Sequence, residues 1–114
     1  MKMVIAIIQP TKMDAVREAL HRVGVQRMTV ADAQGYARQR GRTEMYRGHQ
    51  YKTNLLRKIA LEIVVNDDFL DRTLEILTEV ARTGPEGTIG DGKVFVLPVA
   101  DAHDLRGPHG PEAV

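Results

Sequence analysis

The first half of the chain alternates apolar segments with breaks at proline and glycine. Residues 3–8 form a continuous apolar run that Pro10 ends, which predicts a strand buried on both faces. Thr11 is expected to cap the following helix, with Asp14 as its capping-box partner, and Gly24 to end it. Residues 27–34 alternate well enough for a second strand. The helix between these two strands is predicted by apolar residues at helical spacing: Met13, Val16, Ala19, Leu20 and Val23.

The second half of the chain follows the same order without repeating the sequence. Residues 58–65 alternate as a third strand. Asp67 or Asp68 is expected to cap a second helix, and Gly84 to end it. Residues 93–99 favour a fourth strand, and Pro98 indicates its end or an edge position. The inward apolar positions are predicted at Ile59, Leu61, Ile63 and Val65 on the strand and at Leu70, Thr73, Leu74, Leu77, Val80 and Ala81 on the helix.

The order strand–helix–strand, long connection, strand–helix–strand is typical of an α+β fold, the ferredoxin-like βαββαβ sandwich. Two helices can cover only one face of a four-stranded sheet. Because the strands are apolar on both sides, the other face needs a partner. The sequence therefore predicts a homo-oligomer.

Composition narrows the class of protein. The chain has 114 residues, the size of one domain, and 43% hydrophobic with 27% charged residues is a globular composition. A net charge of +1 argues against a nucleic-acid binder. The absence of cysteine excludes disulfides, zinc–thiolate sites and thiol catalysis. The longest apolar run, residues 4–8, is far shorter than a membrane span of about 20 residues, and no signal peptide is evident, so a cytoplasmic location is expected.

The connection between the two halves is strongly basic. Residues 36–58 carry seven basic residues against one acidic residue, Glu44, a net charge of +6, so the rest of the chain carries −5. All three tyrosines, Tyr36, Tyr46 and Tyr51, lie in this segment. A long cationic loop either attracts anions and acidic partners or is simply a solvated loop, and the sequence leaves both interpretations open.

A second unusual segment is rich in glycine. Residues 84–92 hold four glycines and are followed by Lys93, so backbone N–H groups and an ammonium could converge on an anion. The spacing from Gly87 to Lys93 matches a P-loop, but Val94 stands where Ser or Thr should bind magnesium, and a strand follows in place of a helix. A phosphate-binding loop on another scaffold and a plain helix-to-strand turn remain equally open.

Other chemistries have less support. The chain has neither serine nor cysteine, so nucleophilic triads are excluded. An RNA-recognition module would need stacking aromatic residues, and the predicted strands hold only Phe95. Asp101, His103, Asp104 and His109 could ligate a metal, although they lie near the terminus without rigid spacing.

Taken together, several motifs make the chain resemble the PII family of signal-transduction proteins over residues 1–106, with residues 107–114 as a flexible tail. No single motif would be specific, but their combination is. The resemblance implies a homotrimer with a long T-loop at residues 36–57 and a B-loop at residues 83–93. It is carried by Pro10, VREAL at 16–20, GVQRMTV at 24–30, GYARQRG at 35–41, TEMYRG at 43–48, Tyr51, Lys58, EIVV at 62–65 and IGDGKVFV at 89–96.

The resemblance also implies ligands. ATP and ADP would compete for a cleft between subunits, and magnesium with ATP would create a site for 2-oxoglutarate. There Gln39 would ligate the metal and Lys58 would pair with the distal carboxylate. Tyr51 matches the tyrosine that is uridylylated in many members. The implied nucleotide-binding residues are Thr29, Glu62 and Val64 at the adenine and ribose, Gly35 in the same cleft, and Arg38, Gly90, Asp91, Gly92, Lys93 and Arg106 at the phosphates.

By this resemblance the protein is a regulator and not an enzyme, and it controls target proteins of nitrogen metabolism through its T-loop. Three departures favour ADP or AMP over ATP: residues 85–88 replace a single residue, Asp104 replaces an arginine, and Gln9 with Thr11 replaces the usual pair. One alternative is a PII-like sensor of ADP or AMP with bicarbonate, in inorganic-carbon or metal handling. Another is a small enzyme that uses the basic loop as a lid.

Overall fold

The computed structural model describes residues 1–25, 27–39 and 52–106, and for residues 34–39 and 52–56 only the backbone is described. The elements follow one another as β1 (Lys2–Ile8), a 3₁₀ turn (Pro10–Lys12), α1 (Met13–Arg22), β2 (Thr29–Gln39), β3 (Lys52–Val65), α2 (Asp67–Ala81) and β4 (Gly92–Pro98).

The four strands form one antiparallel sheet in the order β2-β3-β1-β4. Helices α1 and α2 contact each other, and α2 also packs on β1 and β3. Each half of the chain thus contributes one inner and one outer strand, with its helix as the connection. This is the ferredoxin-like α+β fold, and the prediction is confirmed.

The core lies between the helices and one face of the sheet. Val4 and Ala6 of β1 pair with Ile63 and Leu61 of β3, and all four side chains are fully buried. They pack with residues from both helices: Val16, Leu20, Leu77 and Ala81. On β1 the intervening positions are only half-buried, so the prediction that this strand is buried on both faces is wrong for the single chain.

The helix ends differ in how well they were predicted. Gly24 adopts a φ of +99°, the amide of Val25 donates to the Leu20 carbonyl at 3.0 Å, and the amide of Gly24 donates to the His21 carbonyl at 3.1 Å. This Schellman motif ends α1 at the expected glycine. Thr11 does not cap α1, because Pro10 starts a 3₁₀ turn that moves the helix start to Met13.

The second helix also deviates from prediction at both ends. Its N-cap is Asn66, so Asp67 and Asp68 lie in the first turn, where their charge favours the helix dipole. The helix ends at Ala81 with Arg82 in an extended conformation, before Gly84 is reached. Gly84 instead begins the loop that leads to β4, with a φ of +75°.

Strands β2 and β3 are longer than predicted. Their pairing continues to Arg38 opposite Thr53 and Gln39 opposite Lys52, inside the segment that was expected to be a loop. Beyond Ile59 the neighbouring strand β1 has ended, so this part of the hairpin is a two-stranded ribbon. The remaining T-loop residues, 40–51, and the tail at 107–114 lie outside the described part of the chain.

The face of the sheet opposite the helices carries apolar side chains. Met3, Ile5 and Ile7 of β1 lie between Leu97, Phe95 and Lys93 of β4 and Val64, Glu62 and Ala60 of β3. Phe95 is 51% exposed and Leu97 42% exposed in the single chain. We refer to this side as the helix-free face. Among the described helices, none is long and apolar enough to cross a membrane.

Candidate functional site

The glycine-rich segment between α2 and β4 is organised by the side chain of Asp91. One oxygen of its carboxylate, Oδ2, accepts hydrogen bonds from the amides of Thr83 at 2.9 Å and Thr88 at 2.8 Å. The Thr88 hydroxyl donates to the Thr83 carbonyl at 3.3 Å. These contacts close the loop, and we call residues 83–91 the glycine loop.

Two side chains fasten the glycine loop to the sheet. Gln9, at the end of β1, donates from Nε2 to the other carboxylate oxygen of Asp91 at 3.2 Å and to the Gly90 carbonyl at 3.4 Å. Lys58 of β3 donates from Nζ to the same Gly90 carbonyl. The Lys58 ammonium therefore lies at the base of the β2–β3 ribbon, in contact with the glycine loop.

The electrostatics of the loop follow from these contacts. Hydrogen bonds from Thr83 and then Thr88 stabilise the ionised carboxylate and hold the pKa of Asp91 below its usual value of 3.8, with a smaller contribution from the charge of Lys12. Asp91 is therefore an anion at neutral pH. Its carboxylate already occupies two of the amides that a bound phosphate could have used.

The strand that leaves the loop begins with a close backbone contact. Gly92 has a φ of +128°, and its backbone lies against the carbonyl of Ile7 on the neighbouring strand. Lys93 follows and pairs with Ile7 in the ladder, which assigns it to the helix-free face. The predicted phosphate residues Gly90, Gly92 and Lys93 are thus adjacent to Lys58 at one end of the sheet.

A second group of predicted residues lies on the helix-free face. Thr29 of β2 pairs directly with Glu62 of β3, and Glu62 pairs in turn with Ile5. Val64 lies two residues along on the same face. Thr29 and Glu62 are both exposed in the single chain. The three residues expected at an adenine and ribose are therefore brought together.

The segment after β4 carries Arg106 close to Asp104. The guanidinium donates from Nη2 to Asp104 Oδ2 at 2.7 Å, and the Arg106 amide donates to Oδ1 at 2.9 Å. The Arg106 side chain and then its amide lower the pKa of Asp104, with a further contribution from the charge of Arg27. Arg27 lies two residues before Thr29, so this tail lies near the start of β2.

The four residues considered for a metal site are not brought together as a cluster. His103 contacts Asp101 at 3.0 Å, whereas Asp104 binds Arg106. His109 lies outside the described residues. Within residues 1–25, 27–39 and 52–106, no group of three or more potential His, Asp or Glu ligands is close enough to hold an ion.

The predicted nucleotide residues form two groups, whose outermost members are far apart in one chain. Arg38 and Thr29 are nine positions apart in the extended strand β2, a distance of about 30 Å. Gly35, Arg38 and Gln39 lie on the ribbon, where only the backbone is described. We call the first group, on the ribbon, the glycine loop and the start of β4, the loop half-site (Gly35, Arg38, Gln39, Lys58, Gly90, Asp91, Gly92 and Lys93) and the second the sheet half-site (Thr29, Glu62, Val64 and Arg106).

Sequence reasoning gave no role to Gln9 beyond noting that the usual lysine is absent. The pairing of Ile8 with Gly92 brings the end of β1 beside the start of β4, so the strand order of the fold could have placed Gln9 next to Asp91. Tyr51, the expected modification site, lies outside the described residues and stays a prediction.

The ferredoxin-like fold, the long β2–β3 ribbon and the glycine loop beside its base together define a small α+β domain with a protruding hairpin. The family model described as nitrogen regulatory protein P-II matches residues 1–109. The chain therefore belongs to the P-II family.

Individual relatives are similar in sequence to this chain over nearly its whole length. A nitrogen regulatory protein P-II of Azospirillum brasilense is 44% identical over 115 residues, covering 100% of both chains. The nitrogen regulatory protein GlnK1 of Methanosarcina mazei is 45% identical and covers 100% of this chain and 97% of its own. The nitrogen regulatory protein P-II 1 of Escherichia coli K12 is 49% identical over 93% of this chain and 92% of its own. The chain is thus a nitrogen-signalling regulator of the P-II family.

Proposed function

We propose that this protein is a cytoplasmic homotrimer that binds ATP or ADP in clefts between its subunits and transmits the bound state to target proteins through its T-loop. The separation of Thr29 from Arg38 carries this proposal. These two residues lie about 30 Å apart along β2, farther than a nucleoside triphosphate extends, so Thr29 and Arg38 of one chain cannot contact the same molecule. A cleft that joins the loop half-site of one copy to the sheet half-site of the next would bring them together.

The helix-free face supports the assembly. Ile5, Phe95 and Leu97 leave an apolar surface on this side of the sheet, and burying it against other copies would remove that surface from water. Thr29, Glu62 and Val64 lie on the same face, so assembly and the adenine end of the ligand would use adjoining surfaces.

The phosphate end would meet backbone amides and cations. Gly90 has a positive φ, and no atom of the described structure lies within 4 Å of where its side chain would be, so a phosphate can approach its backbone closely. Lys93 lies nearby on the helix-free face and Arg38 on the ribbon. Cations and oriented amides are the groups that offset desolvation of a polyphosphate.

Magnesium and 2-oxoglutarate would bind at the loop half-site, next to the phosphates of the nucleotide. Gln39 would supply an amide oxygen, a ligand that magnesium accepts, and the phosphates would supply others. Lys58 would pair with the distal carboxylate of the oxoacid, and its ammonium already contacts an oxygen acceptor, the Gly90 carbonyl. Modification of Tyr51 would add a negative charge to the T-loop and change which target surfaces it fits.

A second candidate effector follows from the tail. The Arg106 guanidinium is bound by Asp104, whose negative charge offsets part of the attraction for phosphates. A nucleotide with fewer phosphates carries less negative charge and is therefore repelled less by Asp104. The second candidate is therefore a sensor of ADP or AMP together with another small anion such as bicarbonate, in inorganic-carbon or metal handling.

A calorimetric panel tests both candidates. ATP, ADP and AMP are titrated with and without magnesium and 2-oxoglutarate, then with bicarbonate, and light scattering gives the mass. We expect three times the 12.7 kDa of one chain and saturable heat with at least one adenine nucleotide. Heat from bicarbonate with ADP or AMP, and none from 2-oxoglutarate with magnesium and ATP, would favour the second candidate. A monomer, or no heat with any adenine nucleotide, would overturn the proposal.

The same samples separate a regulator from an enzyme. A binding protein leaves the nucleotide intact over hours, apart from slow background hydrolysis. Sustained turnover that Lys93→Ala abolishes would indicate the small-enzyme alternative, with the basic loop acting as a lid over the phosphates.

A further inference from the structure

Four hydrogen-bond donors converge on the short segment Gly90–Asp91. Two are backbone amides of the glycine loop, Thr83 and Thr88, and both bind the Asp91 carboxylate. The other two are the side chains of Gln9 and Lys58, which reach the segment from β1 and β3. The segment Gly90–Asp91 is thus bound both by amides of the glycine loop itself and by side chains of the sheet.

The two amides lie on either side of residues 84–87. Thr83 comes immediately before Gly84, and Thr88 immediately after Gly87, with Pro85 and Glu86 between them. The Gly87 amide also donates to the Gly84 carbonyl at 3.4 Å. Residues 83–88 therefore form a small closed ring whose two ends are joined through one carboxylate.

We propose that Asp91 is a positioning residue: its carboxylate closes the glycine loop into a separate ring and thereby fixes the Gly90 carbonyl, which holds the Lys58 ammonium at the base of the ribbon. Residues 84–87 then project away while Gly90, Gly92 and Lys93 keep the arrangement needed at the phosphate end. The consequence for ligand binding rests on the nucleotide site proposed above, but the ring itself does not.

A direct contact between Asp91 and a phosphate is disfavoured on electrostatic grounds. Two anions repel, and the carboxylate would lose the two amide hydrogen bonds that stabilise its charge. Gln9 adds a neutral donor to the other oxygen of the carboxylate, so the charge of Asp91 is not balanced by an ammonium at that position. Asp91 therefore acts on the ligand through the loop.

The first experiment needs no ligand. The full chain is labelled with ¹⁵N-threonine, and amide hydrogen exchange is measured at Thr83 and Thr88 in the native protein and in Asp91→Ala, Asp91→Asn and Glu86→Gln. Glu86 is the matched control, because it lies in the same exposed loop and makes no hydrogen bond or ion pair within the described residues.

In the native protein both threonine amides should be protected although the loop is exposed. Asp91→Ala should accelerate their exchange by about tenfold or more, since each loses its acceptor. Asp91→Asn, which keeps one acceptor oxygen, should give partial rescue, and Glu86→Gln should leave both rates unchanged. Unchanged exchange in Asp91→Ala, with native protection at the core amides as a folding control, would overturn the ring.

The second experiment measures ADP binding by calorimetry in the same four proteins. We expect Asp91→Ala to weaken binding by about tenfold or more, Asp91→Asn to weaken it less, and Glu86→Gln to match the native protein. Tighter binding in Asp91→Asn would show that charge repulsion dominates and would overturn the positioning role. Lost amide protection with unchanged ADP affinity would overturn it as well. Should the native protein bind no adenine nucleotide, the proposed function fails while the exchange experiment still decides the ring.

Discussion

A Cβ atom at position 92 would lie 1.8 Å from the carbonyl oxygen of Ile7, so the backbones of β1 and β4 touch at this point. Gly92 also has a φ of +128°, which side-chain-bearing residues rarely adopt. Gly92→Ala should therefore destabilise the fold by about 3 kcal/mol or more, from strain and steric overlap together. Urea unfolding followed by circular dichroism measures the change.

Gly84→Ala is the matched control for this substitution. Gly84 also has a positive φ, +75°, but a Cβ there would meet no atom of the described structure within 4 Å. Only the backbone strain remains, so the expected loss is about 1–2 kcal/mol. Equal losses in the two variants would show that the contact with Ile7 is unimportant.

A nucleotide site that joins the loop half-site of one copy to the sheet half-site of the next can be tested by mixing two defective chains. Arg38→Ala disables the loop half-site and Glu62→Ala the sheet half-site, so each variant alone should bind ATP poorly. When the two are assembled together in equal amounts, about a quarter of the clefts combine two intact halves by random assortment. Calorimetry should then recover native affinity at about a quarter of the native stoichiometry.

The control for mixing uses two variants of the same half-site. Chains with Thr29→Ala and Glu62→Ala cannot complement each other, because every cleft receives a defective sheet half-site. Recovery of binding in this mixture, or none in the first, would contradict a site shared between copies.

If the helix-free face is buried between copies, a charged side chain introduced there should prevent assembly. Phe95→Asp would place a carboxylate among the apolar side chains of neighbouring copies, where an unpaired charge is costly. We expect the variant to elute as a monomer in size-exclusion chromatography while its circular dichroism spectrum remains native. Phe69→Asp, at a phenylalanine that is 39% exposed on α2, should leave the mass unchanged. A native-sized Phe95→Asp assembly would exclude this face from the interface.

Acid should release the glycine loop through Asp91. The pKa of this carboxyl is lowered below 3.8 in the folded chain, so its contribution to stability is present above the usual aspartate value and is lost as pH falls through the folded pKa. The stability difference between the native protein and Asp91→Asn, measured in urea, should be fully present at about pH 6 and should shrink as the pH falls below 3.8. If this stability difference did not depend on pH, it would come from the shape of the side chain and not from the charge of Asp91.

The elements with strong local signals were predictable from the sequence. Gly24 ends α1 because a Schellman motif needs a residue with positive φ, and glycine supplies it. Thr11 was mispredicted as a cap, since a local sequence pattern does not show that Pro10 will form a 3₁₀ turn before the helix. The β3 residues 52–57 were missed because their hydropathy does not alternate, and pairing with β2 in a two-stranded ribbon does not require such alternation.

The candidate site was predictable in its residue types but not in its contacts. Gly90, Gly92 and Lys93 could be associated with an anion from composition alone. The role of Asp91 could not, because its partners Thr83 and Thr88 become neighbours only when the loop closes. Lys58 and Gly90 are 32 residues apart, and only the sheet order brings them into contact.

The ribbon formed by β2 and β3 beyond Ile59 has a mechanical consequence. From Lys58 to Lys52 it extends about 20 Å from the body of the sheet, supported by no third strand in the described structure. Its base lies beside Gly90. A tilt of about 5° at the base would move the far end by about 2 Å over that length, so a rotation too small to disturb the core would still displace the tip of the ribbon.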